Sequence, residues 1–223
     1  MDRPGLLFFV ALLLPVIALA AVKDPPVDDE HWSNKYDDHF RKYSKHYFGP
    51  AFDWRWFKAQ GIAESNLKPK AKSRVGAKGV MQIMPATFRE IQKKNPHYKD
   101  ITTPRWNIAA GIYYDRQMYK LWKKENENIS PKERLAFALG CYNAGFGGVR
   151  KAYRKASTSD KKAQSWQEVS PYAPKETRNY VKRIHGLMQT ASVPKPEPTS
   201  APENDEQKQQ QPKSFLYHFF RQR

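Results

Sequence analysis

Residues 52–65 read Phe52-Asp53-Trp54-Arg55-Trp56-Phe57-Lys58-Ala59-Gln60-Gly61-Ile62-Ala63-Glu64-Ser65. Phe52, Trp56, Ala59 and Ala63 fall on one face of a 3.6-residue period, and Phe57, Gln60, Gly61 and Glu64 on another. The spacing predicts a helix over 52–65, rich in aromatic side chains and ending in a carboxylate. Asp53 is placed to cap its start. Downstream, Pro85 sits where a proline begins a helix, which is predicted to run to about Asn95. A longer helix is predicted over 106–125 from Ile108, Ile112, Tyr119 and Trp122 at helical spacing. Ser130-Pro131-Lys132-Glu133 reads as a capping box with proline at the first helical position, opening a helix to about Tyr142. Pro174 starts a last long helix through Tyr180, Ile184 and Leu187 to Met188. Only residues 73–84 leave room for a short strand. The expected fold is a mainly α single domain with minimal β and a polar cleft.

The flanks differ in kind. Residues 6–22 are an unbroken apolar run with Arg3 before it and Ala18-Leu19-Ala20 at its end. That is the pattern of a secretory signal peptide cut after Ala20, the rival being a retained anchor just short of the ~20 residues that span a bilayer. An exported, periplasmic or envelope location follows as the expectation. Residues 21–48 form a short extension in which Trp32, Tyr36, Phe40, Tyr43 and Tyr47 are three or four apart, suiting a helix that packs on the main domain (49–190). Residues 191–223 are rich in Pro, Glu, Gln, Lys and Ser, a composition that predicts a flexible tail. The tail recovers aromatic character in Phe215-Leu216-Tyr217-His218-Phe219-Phe220, a candidate docking peptide for envelope proteins.

Composition narrows the partner. The 223 residues carry 39 Lys+Arg against 22 Asp+Glu, a formal charge of +17, with 13% aromatic residues. A mean hydropathy of -0.83 rules out a multi-span membrane protein. The excess is local: residues 23–48 and the tail are close to neutral, so the main domain holds the whole surplus. Such a surface suits an anionic polymer. Export and the lack of a helix-turn-helix or RNA-binding pattern argue against nucleic acid. One cysteine, Cys141, and six scattered histidines predict no disulfide, no metal site and no cofactor.

Chemistry concentrates in four short motifs. Glu64 is followed by Ser65, whose hydroxyl is suited to donate to a carboxylate. A Lys-rich loop then leads into Gly79-Val80-Met81-Gln82-Ile83-Met84-Pro85, where Gly79 lets the backbone approach a ligand and Gln82 offers donor and acceptor. Cys141-Tyr142-Asn143-Ala144-Gly145 puts an aromatic ring and an amide at a helix end. Glu176-Thr177-Arg178-Asn179-Tyr180-Val181 sets Glu176 and Tyr180 on one helical face.

Taken in this order, Glu-Ser, Gly-x-Met-Gln-x-x-Pro, Tyr-Asn-Ala-Gly and Glu-Thr-x-x-Tyr-Val resemble the catalytic domain of family 1 lytic transglycosylases, over roughly residues 52–188. The lead-in at 52–55 is similar to the catalytic module of the membrane-bound F-type enzymes. The family pattern usually has Ala where this chain has Cys141. The resemblance implies a goose-lysozyme-like fold and cleavage of the β-1,4 bond between N-acetylmuramic acid and N-acetylglucosamine in peptidoglycan, giving 1,6-anhydromuramyl ends. It implies Glu64 as acid and then base, Ser65 and Tyr180 orienting it, and Met81, Gln82, Tyr142 and Asn143 lining the sugar subsites. The alternatives are a hydrolytic muramidase of goose-lysozyme type and a catalytically idle peptidoglycan-binding scaffold. Glu176 reads as structural, near a helix start where a carboxylate suits the dipole. Asp115, on the long middle helix, is a candidate second acid, and nothing in the pattern compels one.

Overall fold

The computed structural model describes residues 24–189. The expected leader and the polar tail with its aromatic end lie outside the described residues. Among the described residues there are seven α-helices: α1 (Asp37–Phe48), α2 (Arg55–Ser65), α3 (Pro85–Lys94), α4 (Pro104–Glu125), α5 (Pro131–Ala156), α6 (Trp166–Val169) and α7 (Lys175–Gln189). A 3₁₀ turn, Ser170–Tyr172, joins α6 to α7. In place of a strand, the 73–84 segment takes part in two isolated antiparallel bridges, Lys78 with Lys72 just before it and Lys78 with Ile83 within it.

Local chemistry sets most of the helix ends. Proline occupies the first turn of α3, α4 and α5, where its missing N–H costs nothing. In α1, Asp37 and Asp38 open the helix and Lys45 and His46 close it, complementing its dipole. The helix begins at Asp37 although the aromatic spacing runs further back, because turns occupy the chain before it. Trp32 and Tyr36 are buried all the same, with the Trp32 indole donating to the Pro25 carbonyl at 3.2 Å. At α2 the helix starts at Arg55, not Phe52. The Asp53 carboxylate accepts the Arg55 backbone N–H at 3.0 Å and holds its guanidinium at 2.8 Å, which fixes a turn before the helix.

The expected stop of α5 near Tyr142 is corrected. The chain bends at Gly145 (φ 73°, ψ 156°) and resumes as helix to Ala156. The left-handed backbone at Gly145 is open to glycine and strained for other residues, so the Gly-rich run makes a kink and not an end. The capping box at Ser130 is half formed. Ser130 Oγ accepts the Glu133 N–H at 3.3 Å, but the Glu133 carboxylate reaches across to the Trp166 N–H at 2.7 Å. Glu133 thereby supplies an acceptor to the start of α6. The reciprocal box is at Ser165 and Glu168.

Two apolar clusters hold the domain. One gathers Phe40, Phe57, Ile62, Met81, Ile108, Ile112, Leu139 and Ile184 from α1, α2, α4, α5, α7 and the 79–83 loop. The other gathers Trp122, Phe137, Cys141, Val149 and Tyr153. Each such side chain, fully buried, contributes about 1.5–3 kcal/mol. Helices α4 and α5 feed both clusters, and Tyr114, Tyr119 and Trp166 pack against both. Tyr180 packs against the first cluster, and Tyr142 stands edge-on to Tyr114 with ring centroids 5.5 Å apart.

Candidate active site

Glu64 is the next-to-last residue of α2. The helix is wrapped on nearly all sides, with Phe57 through Ile62 buried in succession, and only its end emerges. Asn66 closes it in the left-handed region (φ 51°), its N–H bonding back to the Gly61 and Ile62 carbonyls. Arg183 of α7 steadies that end, donating to the Ala63 carbonyl at 3.0 Å and to Asn66 Oδ1 at 3.1 Å while pairing with Asp24 at 2.6 Å. A cation over the last carbonyls of a helix is favourable. Arg183 carried no sequence signal beyond its place in α7.

The residue is half-buried, and Tyr180 Oη donates to Glu64 Oε1 at 2.7 Å. Burial raises the Glu64 pKa from 4.5 to about 7; the Tyr180 bond opposes part of that rise. Glu64 is therefore largely protonated just below neutral pH. Replacing Tyr180 by Phe removes the opposing contribution. The alkaline limb of any Glu64-dependent activity is then expected at higher pH than in the parent; a limb that stays put or moves down contradicts this reading of the bond.

Ser65 is placed otherwise than its position suggests. Its Oγ donates to the Val80 carbonyl at 2.8 Å and accepts the Lys68 N–H at 3.1 Å, with no bond to Glu64. It ties the end of α2 to the 79–83 loop and the start of the Lys-rich loop. Met81 is also corrected, since its side chain is fully buried against Gly111 and not open to a ligand. Its backbone is what serves the site, the carbonyl accepting from Tyr142 Oη at 2.7 Å. Gln82 takes a left-handed backbone (φ 43°), and its amide nitrogen donates to the Gly79 and Ala71 carbonyls at 2.9 and 3.2 Å. Asn143 is exposed at the α5 kink and accepts from the buried Thr177 hydroxyl at 2.7 Å. Glu176 is exposed in the first turn of α7. Cys141 is buried and accepts the Trp122 indole N–H at 3.0 Å.

Three residues that the motifs do not single out shape this region. Asn107, fully buried in α4, accepts the Met81 N–H at 2.7 Å and donates to the Lys78 and Ile101 carbonyls, each at 2.9 Å. A lone Asn inside an apolar helical run was the available signal. Gln60 and Asp115 are likewise fully buried and bonded to each other at 3.3 Å. Gln60 lies one turn before Glu64 on the same face of α2.

A mostly helical domain with one raised carboxyl at the end of an enclosed helix, held by a tyrosine from the last helix, falls in the lysozyme-like class of folds. The Transglycosylase SLT domain pattern matches residues 48–165, more than half of the chain, and the chain belongs to that family. Membrane-bound lytic murein transglycosylase F of Vibrio cholerae is 30% identical over 169 residues, 68% of this chain and 29% of that protein. The F enzyme of Desulfosudis oleivorans is 33% identical over 123 residues, 55% of this chain and 25% of that protein. The chain thus spans under a third of the length of these relatives. Among solved structures, the soluble lytic transglycosylase SLT70 from Escherichia coli superposes with a TM-score of 0.53 at 29% identity, over 70% of this chain and 24% of that one. An inactive mutant of lytic transglycosylase Slt from Pseudomonas aeruginosa gives 0.56 at 24% identity, over 70% of this chain and 24% of that one, a likeness of fold.

Proposed function

We propose that this domain is a peptidoglycan lytic transglycosylase. It cleaves the bond between N-acetylmuramic acid and N-acetylglucosamine without water, with Glu64 as its acid and then its base. The observation that carries the reading is Glu64, poised near pH 7 by burial and bonded to Tyr180. A group that must first give and then take a proton works best with a pKa close to the operating pH.

The chemistry requires one carboxylate. Protonated Glu64 gives its proton to the glycosidic oxygen as the C1–O bond breaks, and the N-acetylglucosamine leaves as an alcohol. The muramyl C6 hydroxyl then bonds to C1, with the neighbouring N-acetyl group assisting, and its proton passes to the Glu64 carboxylate. The enzyme is thereby restored and the product ends in a 1,6-anhydro ring. Attack from within the same sugar gains from proximity, worth roughly 7–11 kcal/mol in well-aligned cases. An ordinary glycosidase uses a second carboxyl to activate water or to attack carbon.

In this reading Gln82, Tyr142 and Asn143 contact the sugars. Ser65 and Met81 act through the loop that their backbone and hydroxyl bonds hold. The surplus of Lys and Arg on the main domain draws it to the anionic wall, and the relatives named membrane-bound murein enzymes support a place in the cell envelope. Export by the leader and partner docking by the tail remain parts of the same proposal. Among the described residues no helix is long and apolar enough to cross a membrane.

The deciding experiment is digestion of purified sacculi in heavy-oxygen water with mass analysis of the muropeptides. Unlabelled 1,6-anhydro ends are expected. Labelled reducing muramyl ends as the main product would make the domain a muramidase, and no released fragments would make it a binding scaffold. Turbidity clearing is common to both enzymes and does not separate them.

A further inference from the structure

Asp115 is fully buried in α4, yet it is an acid, and the mechanism just described does not use it. Its surroundings are unusual for a carboxylate. Gln60 Nε2 donates to Asp115 Oδ1 at 3.3 Å, and no Lys, Arg or His is bonded to it among the described residues. Two oxygens are left over on this pair, Asp115 Oδ2 and Gln60 Oε1, and both are buried without a hydrogen-bond partner. With Asp115 ionised both are acceptors, two buried groups with nothing to accept from, a costly arrangement. One proton on Asp115 Oδ2 changes the count: the carboxyl becomes a donor, and Gln60 Oε1 is the unfilled acceptor on its partner.

We propose that Asp115 and Gln60 form a reciprocal acid–amide pair, the carboxyl keeping its proton, which makes a neutral floor one helical turn beneath Glu64. Asp115 is thereby a positioning residue for the acid and not a second catalytic carboxylate. Glu64 on α2 acts on Asp115, and a charge on Asp115 would in turn act on Tyr114 of α4, Cys141 and Tyr142 of α5 and Tyr180 of α7. All are acids, so none favours a negative charge at Asp115, and burial pushes its pKa well above the usual carboxylate range. The consequence for Glu64 is direct. A charged Asp115 would hold the Glu64 proton too tightly to be released to the glycosidic oxygen, whereas a neutral one leaves Glu64 to be set by its own burial. Gln60 carries the effect mechanically, being four residues before Glu64 on one face of α2.

The proposal rests on Glu64 being the acid, but its first test does not need turnover. In the full chain with carbon-13-labelled Asp carboxyls, assigned by comparison with D115N, the Asp115 signal is expected at the protonated position throughout the pH range over which Glu64 titrates, centred on about 7. A shift to the carboxylate position inside that range overturns the pair whatever reaction the domain performs. The second test uses variants. Asp115→Asn keeps a neutral reciprocal pair, with the new amide donating to Gln60 Oε1, and is expected within about threefold of the parent kcat with the pH profile in place. Asp115→Leu strands the Gln60 amide, and kcat is expected to fall about tenfold or more at unchanged KM, with a displaced Glu64 limb. A folded D115N that loses about a hundredfold or more in kcat would make Asp115 a catalytic carboxylate. A D115L chain matching the parent in kcat and pH profile would remove the positioning role. If D115L does not fold, the carbon-13 titration and D115N decide.

Discussion

Glu64→Gln is expected to abolish turnover while wall binding persists. The amide keeps the shape of the side chain and can still accept from Tyr180, but it has no acidic proton for the glycosidic oxygen. General acid–base catalysis of this kind contributes about 10²–10⁴-fold, and here one group supplies both halves. Activity within a few-fold of the parent would place the acid elsewhere. Stability carries a second, independent signature. The folded Glu64 pKa of about 7 lies above the reference value of 4.5. Between those values the folded chain binds the proton and the unfolded chain releases it. The carboxyl's contribution to stability is therefore full below the lower value and declines as pH rises through the upper one. At roughly 1.4 kcal/mol per unit, and allowing for the part of the side chain open to solvent, the loss by alkaline pH is about 2–3 kcal/mol. Gln does not titrate. The variant should thus match the parent in acid and exceed it in stability near pH 9, as read by thermal unfolding at both. Parallel curves at the two pH values would show that Glu64 is not buried enough to be poised.

What the sequence discloses and what it withholds divide along a physical line. Short-range signals were legible. Pro85 and Pro131 opened α3 and α5 as expected, the aromatic period located α2, and the spacing of Glu176 and Tyr180 set one helical face. Glu64 and Tyr180 were linked by resemblance, and a 2.7 Å bond joins them. Signals were lost wherever a polar group chooses among several partners. Ser65 stands beside Glu64 in sequence, yet a backbone carbonyl of the neighbouring loop takes its one hydroxyl proton. Glu133 has the spacing of a capping box, yet an N–H from α6 takes its carboxylate. Met81 stands beside Gln82, but it meets Tyr142 through its backbone carbonyl and its side chain fills the core. The helix expected to end near Tyr142 bends at Gly145 and continues, and a glycine that ends a helix and one that kinks it look alike in sequence. The place of Asp115 is not legible, because periodicity tells which face a residue is on, and not that a carboxyl there meets an amide from another helix.

The second large effect is expected at Asn107, because this one buried side chain ties α4 to the loop that also binds Ser65 and Tyr142. Its amide satisfies three backbone groups from two separate stretches: the Met81 N–H and the Lys78 and Ile101 carbonyls. Gly79 lies so close over it that a Cβ there would stand 2.6 Å from the Asn107 amide, and the Gly79 backbone is left-handed (φ 80°). The glycine and the asparagine are thus one device: the missing side chain lets the loop settle on the amide, and the amide replaces the backbone partners that a sheet would have given it. Asn107→Ala strands the buried Met81 N–H and takes a donor from the half-buried Ile101 and Lys78 carbonyls, of which Lys78 keeps the Ile83 N–H at 3.0 Å. A buried group left unmade costs about 1–3 kcal/mol. A loss of about 3–5 kcal/mol is expected, water entering the gap relieving part of the full cost. Catalysis should fall more than stability predicts, since the Met81 carbonyl that holds Tyr142 and the Val80 carbonyl that holds Ser65 both belong to this loop. Asn107→Asp separates bonding from volume: it keeps the shape and the acceptor, but turns carboxylate oxygen toward the Lys78 and Ile101 carbonyls. It should be at least as damaging near neutral pH and should recover in acid, where a proton restores one donor. Urea unfolding of both variants checks the point, and an Asn107→Ala chain within about 1 kcal/mol of the parent would mean that the loop is held by its own backbone bonds.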